Sequence, residues 1–369
     1  MRLASFNVEN MFRRAVALNL ATWQDGKAIL DQYGRVSSLL QETTYTAATR
    51  KSIVDALEKL GLKKSNESQF IILRENHGHL LKRPKTGPMQ VVAGGRNEWI
   101  GWVELKTEAV DEVATRMTAK VISEVKADVM AVIEAEDRIA LTRFNDQLLK
   151  PIHATYDGIM LIDGNDDRGI DVGFFTRKPF LVESMVSHVD DMKSGRRIFS
   201  RDCVEYTVRV NSSTTILVMV NHFKSKGFGN QTTSDTRRKE QAKRARDIYD
   251  LRRSQGVKMI AIVGDFNDTP DSDPLKPLLA NQSDLKDIFD HPKFKSDGHE
   301  GTFGNGSESN KIDYILLSPA LFSRVTNGGV ERRGVWGGTN GTLFPHFPEI
   351  TKSIEAASDH AAVFADLDL

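Results

Sequence analysis

The polar residues of this chain with the greatest capacity for chemistry stand at the ends of short apolar runs. Asn7 lies in Ser5-Phe6-Asn7-Val8-Glu9-Asn10, Glu134 ends the run from Asp128 to Ile133, and His222 follows Ile216–Asn221. Asp265 and Asn267 occur in Gly264-Asp265-Phe266-Asn267 after an apolar stretch, and Asp359-His360 immediately precedes the last one. A carboxylate at the end of a buried strand is costly to desolvate unless a cation neutralises it. Several such carboxylates with an asparagine form a hard oxygen donor set, which suits Mg²⁺ or Mn²⁺ better than zinc and points to phosphate substrates. Two strand-end histidines would supply what phosphate-ester hydrolysis also needs, a donor to the phosphoryl oxygens and a proton source near the leaving oxygen.

Each residue also has a purely structural reading. Asn7 and Glu134 could be cap or turn residues, Gly264-Asp265-Phe266-Asn267 a strand-ending turn, and Ser358-Asp359-His360 a local hydrogen-bonded turn. The chemical reading gains its weight from their joint occurrence.

Strand-like runs recur at Leu3–Val8, Val129–Ile133, Ile159–Ile162, Val172–Thr176, Val204–Val210, Thr215–Asn221, Lys258–Val263, Ile312–Leu317 and Ala361–Leu367. Helical periodicity appears in Ala109–Lys126, with Val113, Met117, Val121 and Val125 four apart, and in Thr236–Arg253, with Ala242, Ala245, Ile248 and Tyr249 on one side. Hairpin-like neighbours mix with helix-separated strands, which predicts a layered α/β sandwich over a purely parallel sheet. Residues 13 to about 105 stand apart, with a helix expected at Ala47–Leu60, strands at Phe70–Leu73 and Glu98–Leu105, and a basic, glycine-punctuated stretch from His77 to Arg96. This segment, 13–105, reads as an inserted subdomain within a body formed by 1–12 and 106–369.

The chain has 369 residues, 40% of them hydrophobic and 27% charged, which is the composition of an ordinary globular protein. Fifty basic residues balance 50 acidic ones, so attraction to a polyanion must come from a local patch. The single cysteine, Cys203, excludes an intrachain disulfide framework and a cysteine-based zinc site. No apolar run is long enough for a membrane anchor, and Glu9, Arg13 and Arg14 interrupt any signal-peptide pattern; a cytoplasmic home is expected.

The ordered set Ser5-Phe6-Asn7, Ile133-Glu134, Asn221-His222, Gly264-Asp265-Phe266-Asn267, Lys311-Ile312-Asp313-Tyr314 and Ser358-Asp359-His360 resembles the endonuclease/exonuclease/phosphatase superfamily. The resemblance implies a DNase I-like four-layer α/β sandwich, two packed mixed β-sheets flanked by helices, with 13–105 as an insertion. It further implies Glu134 as the principal metal carboxylate, Asn7 and Asp359 at the metal and phosphate site, and Asp265 as the group that orients or deprotonates the attacking water. Asn267 would contact the phosphate, His222 and His360 would be the two catalytic imidazoles, and Asp313 would be the partner of His360. Asp171 falls where DNase I-like enzymes place the acid partner of the first histidine. Arg201, in Phe199-Ser200-Arg201-Asp202, resembles their phosphate-gripping arginine, with Lys224 nearby.

The histidine at 222 favours the DNase I and sphingomyelinase side over exonuclease III-like repair enzymes, and no exposed apolar hairpin suggests membrane work. The expected substrate is therefore nucleic acid, DNA before RNA, cleaved with Mg²⁺ or Mn²⁺. The segment Asp235–Arg253, with eight basic residues against four acidic, could carry a phosphate backbone or be a solvated helix face. Trp336, Phe344, His346 and Phe347 could form a base-stacking platform or a folded lid. Lys82, Arg83, Lys85 and Arg96 of the insertion could meet a polyanion or a protein partner. A phosphatase or phosphodiesterase of phospholipids, inositol phosphates or other small esters is the alternative enzyme, and a non-catalytic binding module the alternative from another class.

Overall fold

Nearly continuous apolar runs along the central strands dictate sheets buried on both faces, and helices then have to cover the outer ones. The computed structural model describes residues 1–20, 23–166, 168–226, 230–280 and 282–369. The chain forms two compact units: Met1–Phe12, Val110–Lys226 and Thr232–Leu369 make the larger, and Arg13–Ala109 makes up most of the smaller.

In the larger unit the sheet strands are, in chain order, β1 (Arg2–Asn7), β2 (Val129–Ala135), β3 (Gly158–Ile162), β4 (Asp171–Thr176), β5 (Leu181–Val186), β6 (Cys203–Arg209), β7 (Thr215–His222), β8 (Ile260–Asp265), β9 (Lys286–Asp287), β10 (Phe294–Lys295), β11 (Asp313–Leu317), β12 (Val325–Glu331) and β13 (Ala362–Leu367). A seven-stranded sheet runs β10-β12-β13-β1-β2-β4-β3 and a six-stranded sheet runs β5-β6-β7-β8-β11-β9. Both are mixed. β1 is parallel to β2 and β7 to β8, whereas β13 on β1 and β11 on β8 are antiparallel.

Every second residue of the central strands points between the sheets. Leu3, Val129, Ala131, Ile133, Val172 and Phe174 of one sheet meet Val204, Tyr206, Val218, Val220, Val263 and Ile315 of the other in one buried cluster. The alternate residues Ala4, Phe6, Met130 and Val132 face outward and are covered by Met117, Val121, Ile122 and Val125 of helix α1 (Glu112–Val125). On the far side Leu217, Met219, Ile260 and Ile262 are covered by Ala242, Ala245, Ile248 and Tyr249 of helix α2 (Gln231–Ser254). The result is a four-layer α/β sandwich.

The smaller unit has a core of its own, in which Leu30, Ile53, Leu57, Ile71, Leu73, Trp99 and Val103 are buried together. Its helix Ala47–Lys59 is capped by Thr46, whose side chain accepts from the Thr49 amide. Strands Ile71–His77 and Ile100–Leu105 pair antiparallel. The expected strands were placed within a few residues; the helix Trp23–Leu39 had not been anticipated. Of the basic stretch, Arg83 is spent on the Leu62 and Ser65 carbonyls and Asn66, and Arg96 lies over the Trp99 ring and donates to its carbonyl. Those two guanidiniums build the subdomain itself.

At the end of β8 the backbone leaves no room for a side chain. Gly264 has φ +131°, and a Cβ there would lie 1.9 Å from the Asn221 carbonyl oxygen of β7. Gly264→Ala is expected to destabilise the protein by roughly 3 kcal/mol or more, since both strain and a backbone clash arise. Urea unfolding checks this; a loss below about 0.5 kcal/mol, the scale of a neutral surface change, would contradict it.

Candidate active site

The two parallel strand pairs end at the same place, and their terminal residues are polar. β1 delivers buried Asn7, opposite Ile133 of β2. Between β2 and β4 the register shifts, with Asp171 opposite Ala135 but Val172 opposite Ile133, so Glu134 is the extra residue of a bulge. It has φ +64°, and Glu9 and Asn10 (φ 51° and 65°) and Asn267 (φ 54°) share the left-handed conformation. Such backbone costs about 1 kcal/mol or more per residue and persists only where the surroundings impose it. Here the Asn10 amide is tied to the Glu134 carbonyl at 2.9 Å.

In the other sheet His222 of β7, Asp265 of β8 and Asp313 of β11 stand abreast in register. Asp265 is the hub. Its Oδ2 accepts from Asn7 Nδ2 at 3.2 Å and lies 3.7 Å from His222 Nε2 and 3.9 Å from His360 Nε2, while its Oδ1 accepts from the Asn267 amide at 2.8 Å. Glu134 Oε1 lies 3.5 Å from His222 Nε2. His360 Nδ1 is 2.8 Å from Asp313 Oδ2, which also accepts from Thr302 Oγ1 at 2.6 Å. Ser358 Oγ donates to the Asn7 carbonyl and accepts from the His360 amide, tying the last motif to the first.

The two imidazoles are held in opposite states. Burial, and then the nearby Arg201 charge, push His222 well below its ordinary value, so it is neutral. Burial also works against a charge on His360, but Asp313, Asp359 and Asp265 outweigh it and hold the ring protonated well above its ordinary value. Asp265 is pushed up, first by burial and then by Asp313 and Glu134, against the opposing pull of His360. A carboxyl near neutrality, a neutral imidazole and an imidazolium around one point are the parts of an acid-base site.

Oxygen and imidazole atoms of Glu134, His222 and Asp265, and likewise of Asp265, Asp313 and His360, lie close enough to share a metal ion. Hard carboxylate oxygens dominate the donor set, and Asp265 is buried with the Glu134 and Asp313 carboxylates close by, so acidic groups are gathered out of water at this point. These residues fit a divalent cation. Asp359 is half-exposed, with Oδ1 3.7 Å from His360 Nε2.

Beyond this centre the placements divide. Arg201 is fully buried, donates from Nη1 to the Phe223 carbonyl at 3.1 Å, and has Nε 3.1 Å from Asp166 Oδ2. Lys224 is half-buried, and burial, followed by the Arg201 and Arg168 charges, lowers its ammonium to about 7. Asn267 Nδ2 donates to the Phe223 carbonyl. Asp171 is buried beside the site, but the pairing with the first histidine is not formed: its Oδ1 accepts from the Gly164 amide at 2.8 Å, and His222 Nδ1 has no hydrogen-bond partner among the described residues.

Six of the eight basic residues of α2 are paired with the protein's own carboxylates. Arg238 is buried against Asp268 and Asp235, and Lys243, Arg244, Arg246, Arg252 and Arg253 pair with Asp247, Asp191, Asp250, Glu205 and Asp284. Lys226 pairs with Asp268. Phe344 and Phe347 are buried, so they cannot present a stacking face, while Trp336 stacks on His346 with centroids 5.2 Å apart. Thr302 and Asp166 were missed in the sequence because a lone Thr or Asp in a loop carries no signal until its partner is known.

The profile of the Endonuclease/Exonuclease/phosphatase family matches residues 76–329, and the chain belongs to that family, whose members are phosphoesterase hydrolases. No curated protein sequence matches. Among solved structures, an endonuclease/exonuclease/phosphatase family protein from Bacteroides thetaiotaomicron is similar at 17% identity, covering 70% of this chain and 90% of its own, with a TM-score of 0.49. A mannosyl-6-phosphatase of the same organism is similar at 16% identity, with coverages of 70% and 92% and a TM-score of 0.49. The catalytic domain of human Nocturnin with bound sulfate is similar at 16% identity, with coverages of 71% and 88% and a TM-score of 0.48. No helix among the described residues is long and apolar enough to cross a membrane.

The His360 state has a measurable consequence in metal-free protein. The folded chain holds that proton more tightly than the unfolded chain, whose imidazole titrates near 6.5. The stabilisation is complete below about pH 6.5 and is lost as pH rises through the folded value. NMR titration should find the His360 ring still protonated at pH 7.5 and find it neutral there in Asp313→Asn, which also loses the associated fall in stability; equal titration in both proteins would contradict the pairing.

Proposed function

We propose that the larger unit is a phosphodiesterase that hydrolyses nucleic acid, DNA before RNA, with Mg²⁺ or Mn²⁺ held by Glu134 and with Asn7 and Asp359 beside it. The observation that carries this reading is the convergence of Asn7, Glu134, His222, Asp265 and the His360–Asp313 pair from distant parts of the chain. When bound, the cation supplies positive charge to the phosphoryl oxygens. Asp265, oriented by the Asn267 amide and Asn7, accepts a proton from the attacking water. As the water oxygen bonds to phosphorus and the ester P–O bond breaks, His360 gives its proton to the leaving oxygen, and Asp313 fixes the ring and its charge. His222, neutral, orients the phosphate from the Glu134 side. Arg201 and Lys224 bind phosphate oxygens, and Asn267 a further one.

A second reading, a small phosphate ester such as a sugar or inositol phosphate or a phospholipid headgroup, is favoured by one specific observation. Six of the eight basic residues of α2 are taken up by the protein's own carboxylates, which leaves less surface charge for a long strand. A cytoplasmic setting is compatible with the single, buried Cys203, and the exposed Ile100 and Trp102 of the smaller unit support a protein-binding role for residues 13–105.

Purified protein with Mg²⁺ or Mn²⁺ should cleave plasmid or single-stranded DNA, and Glu134→Gln or His360→Ala should lower the rate by about 10²-fold or more, as expected for loss of an electrostatic or acid-base group. Cleavage that persists in both variants would overturn the assignment. Release of phosphate from small esters with nucleic acid untouched would favour the second reading, and absence of divalent-ion binding by calorimetry would indicate a non-catalytic module.

A further inference from the structure

We propose that Thr302 is a positioning residue for the leaving-group step: its hydroxyl locks the Asp313 carboxylate in the orientation that aims the His360 ring at the departing oxygen. This rests on the phosphoesterase reading and adds to it a residue that lies behind the reacting atoms.

The hydroxyl has one proton to give, and its surroundings decide where that proton goes. Thr302 Oγ1 accepts from the Asp313 amide at 3.1 Å and from the Ile312 amide at 3.3 Å, so backbone donors fill its acceptor side. Its own proton is left for an acceptor, and Asp313 Oδ2 stands 2.6 Å away, against 3.5 Å for the Asn310 carbonyl. The short contact wins. Thr302 is fully buried and Asp313 is 1% exposed, so bulk water reaches neither.

The oxygen that receives this proton is the one facing the imidazole. Oδ2 is also 2.8 Å from His360 Nδ1, and these two side chains are the carboxylate's side-chain hydrogen-bond partners among the described residues. Lys311, the cation two residues before it, does not hold the carboxylate: its Nζ donates to the Asp313 carbonyl oxygen at 2.7 Å and pairs with Asp287 at 2.9 Å. A carboxylate bonded to one imidazole alone can turn about its broad terminal torsion and exchange oxygens. A second donor on the same oxygen removes that freedom.

Thr302 is tied to the ring as well as to the acid. Its carbonyl accepts from the Ala361 amide at 2.7 Å, its amide donates to the Asn310 carbonyl at 2.9 Å, and Phe303 pairs with His360 in an isolated antiparallel bridge. The Phe303 ring lies against the imidazole with centroids 4.9 Å apart. With Phe303 at the ring and Oδ2 at Nδ1, the direction of Nε2 is set, and proton delivery depends on that direction. A threonine that only held the turn would need the backbone bonds alone; the hydroxyl on the carboxylate is the added feature.

The test compares two leaving groups in one preparation, so that any loss of folded protein cancels. Thymidine 5′-phenyl phosphate needs a proton on its leaving oxygen, whereas thymidine 5′-(4-nitrophenyl) phosphate expels a weakly basic anion that needs far less help. Phenyl and 4-nitrophenyl phosphate serve the same purpose for a monoesterase. With Mg²⁺ or Mn²⁺, Thr302→Val should lower kcat for the phenyl ester about tenfold or more, the scale of one hydrogen bond to a charged group, with KM and the 4-nitrophenyl rate within about twofold of wild type. Thr302→Ser, which keeps the hydroxyl, should restore most of the loss. In proton NMR of the metal-free protein, the His360 Nδ1 proton, sheltered from exchange by Asp313, should give a resonance in wild type and Thr302→Ser that is lost in Thr302→Val. An equal fall on both leaving groups, or a phenyl rate or Nδ1 resonance untouched by Thr302→Val, would overturn the positioning role and leave the hydrolase reading intact. Where the wild type turns over none of these esters, the resonance decides alone: dependence on the hydroxyl upholds the lock on Asp313, and independence overturns it. Failure of the wild type to cleave DNA as well would overturn the hydrolase reading.

Discussion

A single buried carboxylate at the meeting point of both sheets governs this structure. Asp265 is removed from water, yet two more acids, Glu134 and Asp313, crowd it. Its surroundings answer with an amide from Asn7, a backbone N–H from Asn267 and the imidazolium of His360. Removing water from a charge is expensive, and the arrangement is stable only if each neighbour keeps its place. That requirement explains why residues from the first strand and from the turn before the last strand are bonded to each other through Ser358.

The backbone pays a local cost for this convergence. Glu134 reaches the site because a bulge turns it out of the β2 alternation, and Glu9, Asn10 and Asn267 share its left-handed conformation. The same environment that strains the chain also sorts the imidazoles. Proximity to Arg201 suits a neutral His222, and proximity to Asp313 suits a charged His360, so identical side chains acquire different chemistry from their neighbours alone.

Much of the framework was legible in the amino-acid sequence because burial leaves period-two and period-four patterns. The strands that carry Glu134, His222 and Asp265 are nearly continuous apolar runs, and the covering helix of Glu112–Val125 is amphipathic. Strand Leu181–Val186 is mostly exposed and Val325–Glu331 contains two glycines, so neither carries that pattern. Contacts set by tertiary placement were the least legible. Whether Arg238 meets DNA or Asp268, and whether Asp171 meets His222 or the Gly164 amide, depends on turns whose geometry no local spacing encodes.

Anomalous diffraction from crystals of the protein soaked in Mn²⁺ tests the central claim most directly. The account predicts a peak bonded to the Glu134 carboxylate, within the cluster formed by Asn7, Asp265 and the two imidazoles, and its loss in Glu134→Gln crystals. A peak bound elsewhere, with this cluster bare at saturating Mn²⁺, would contradict it.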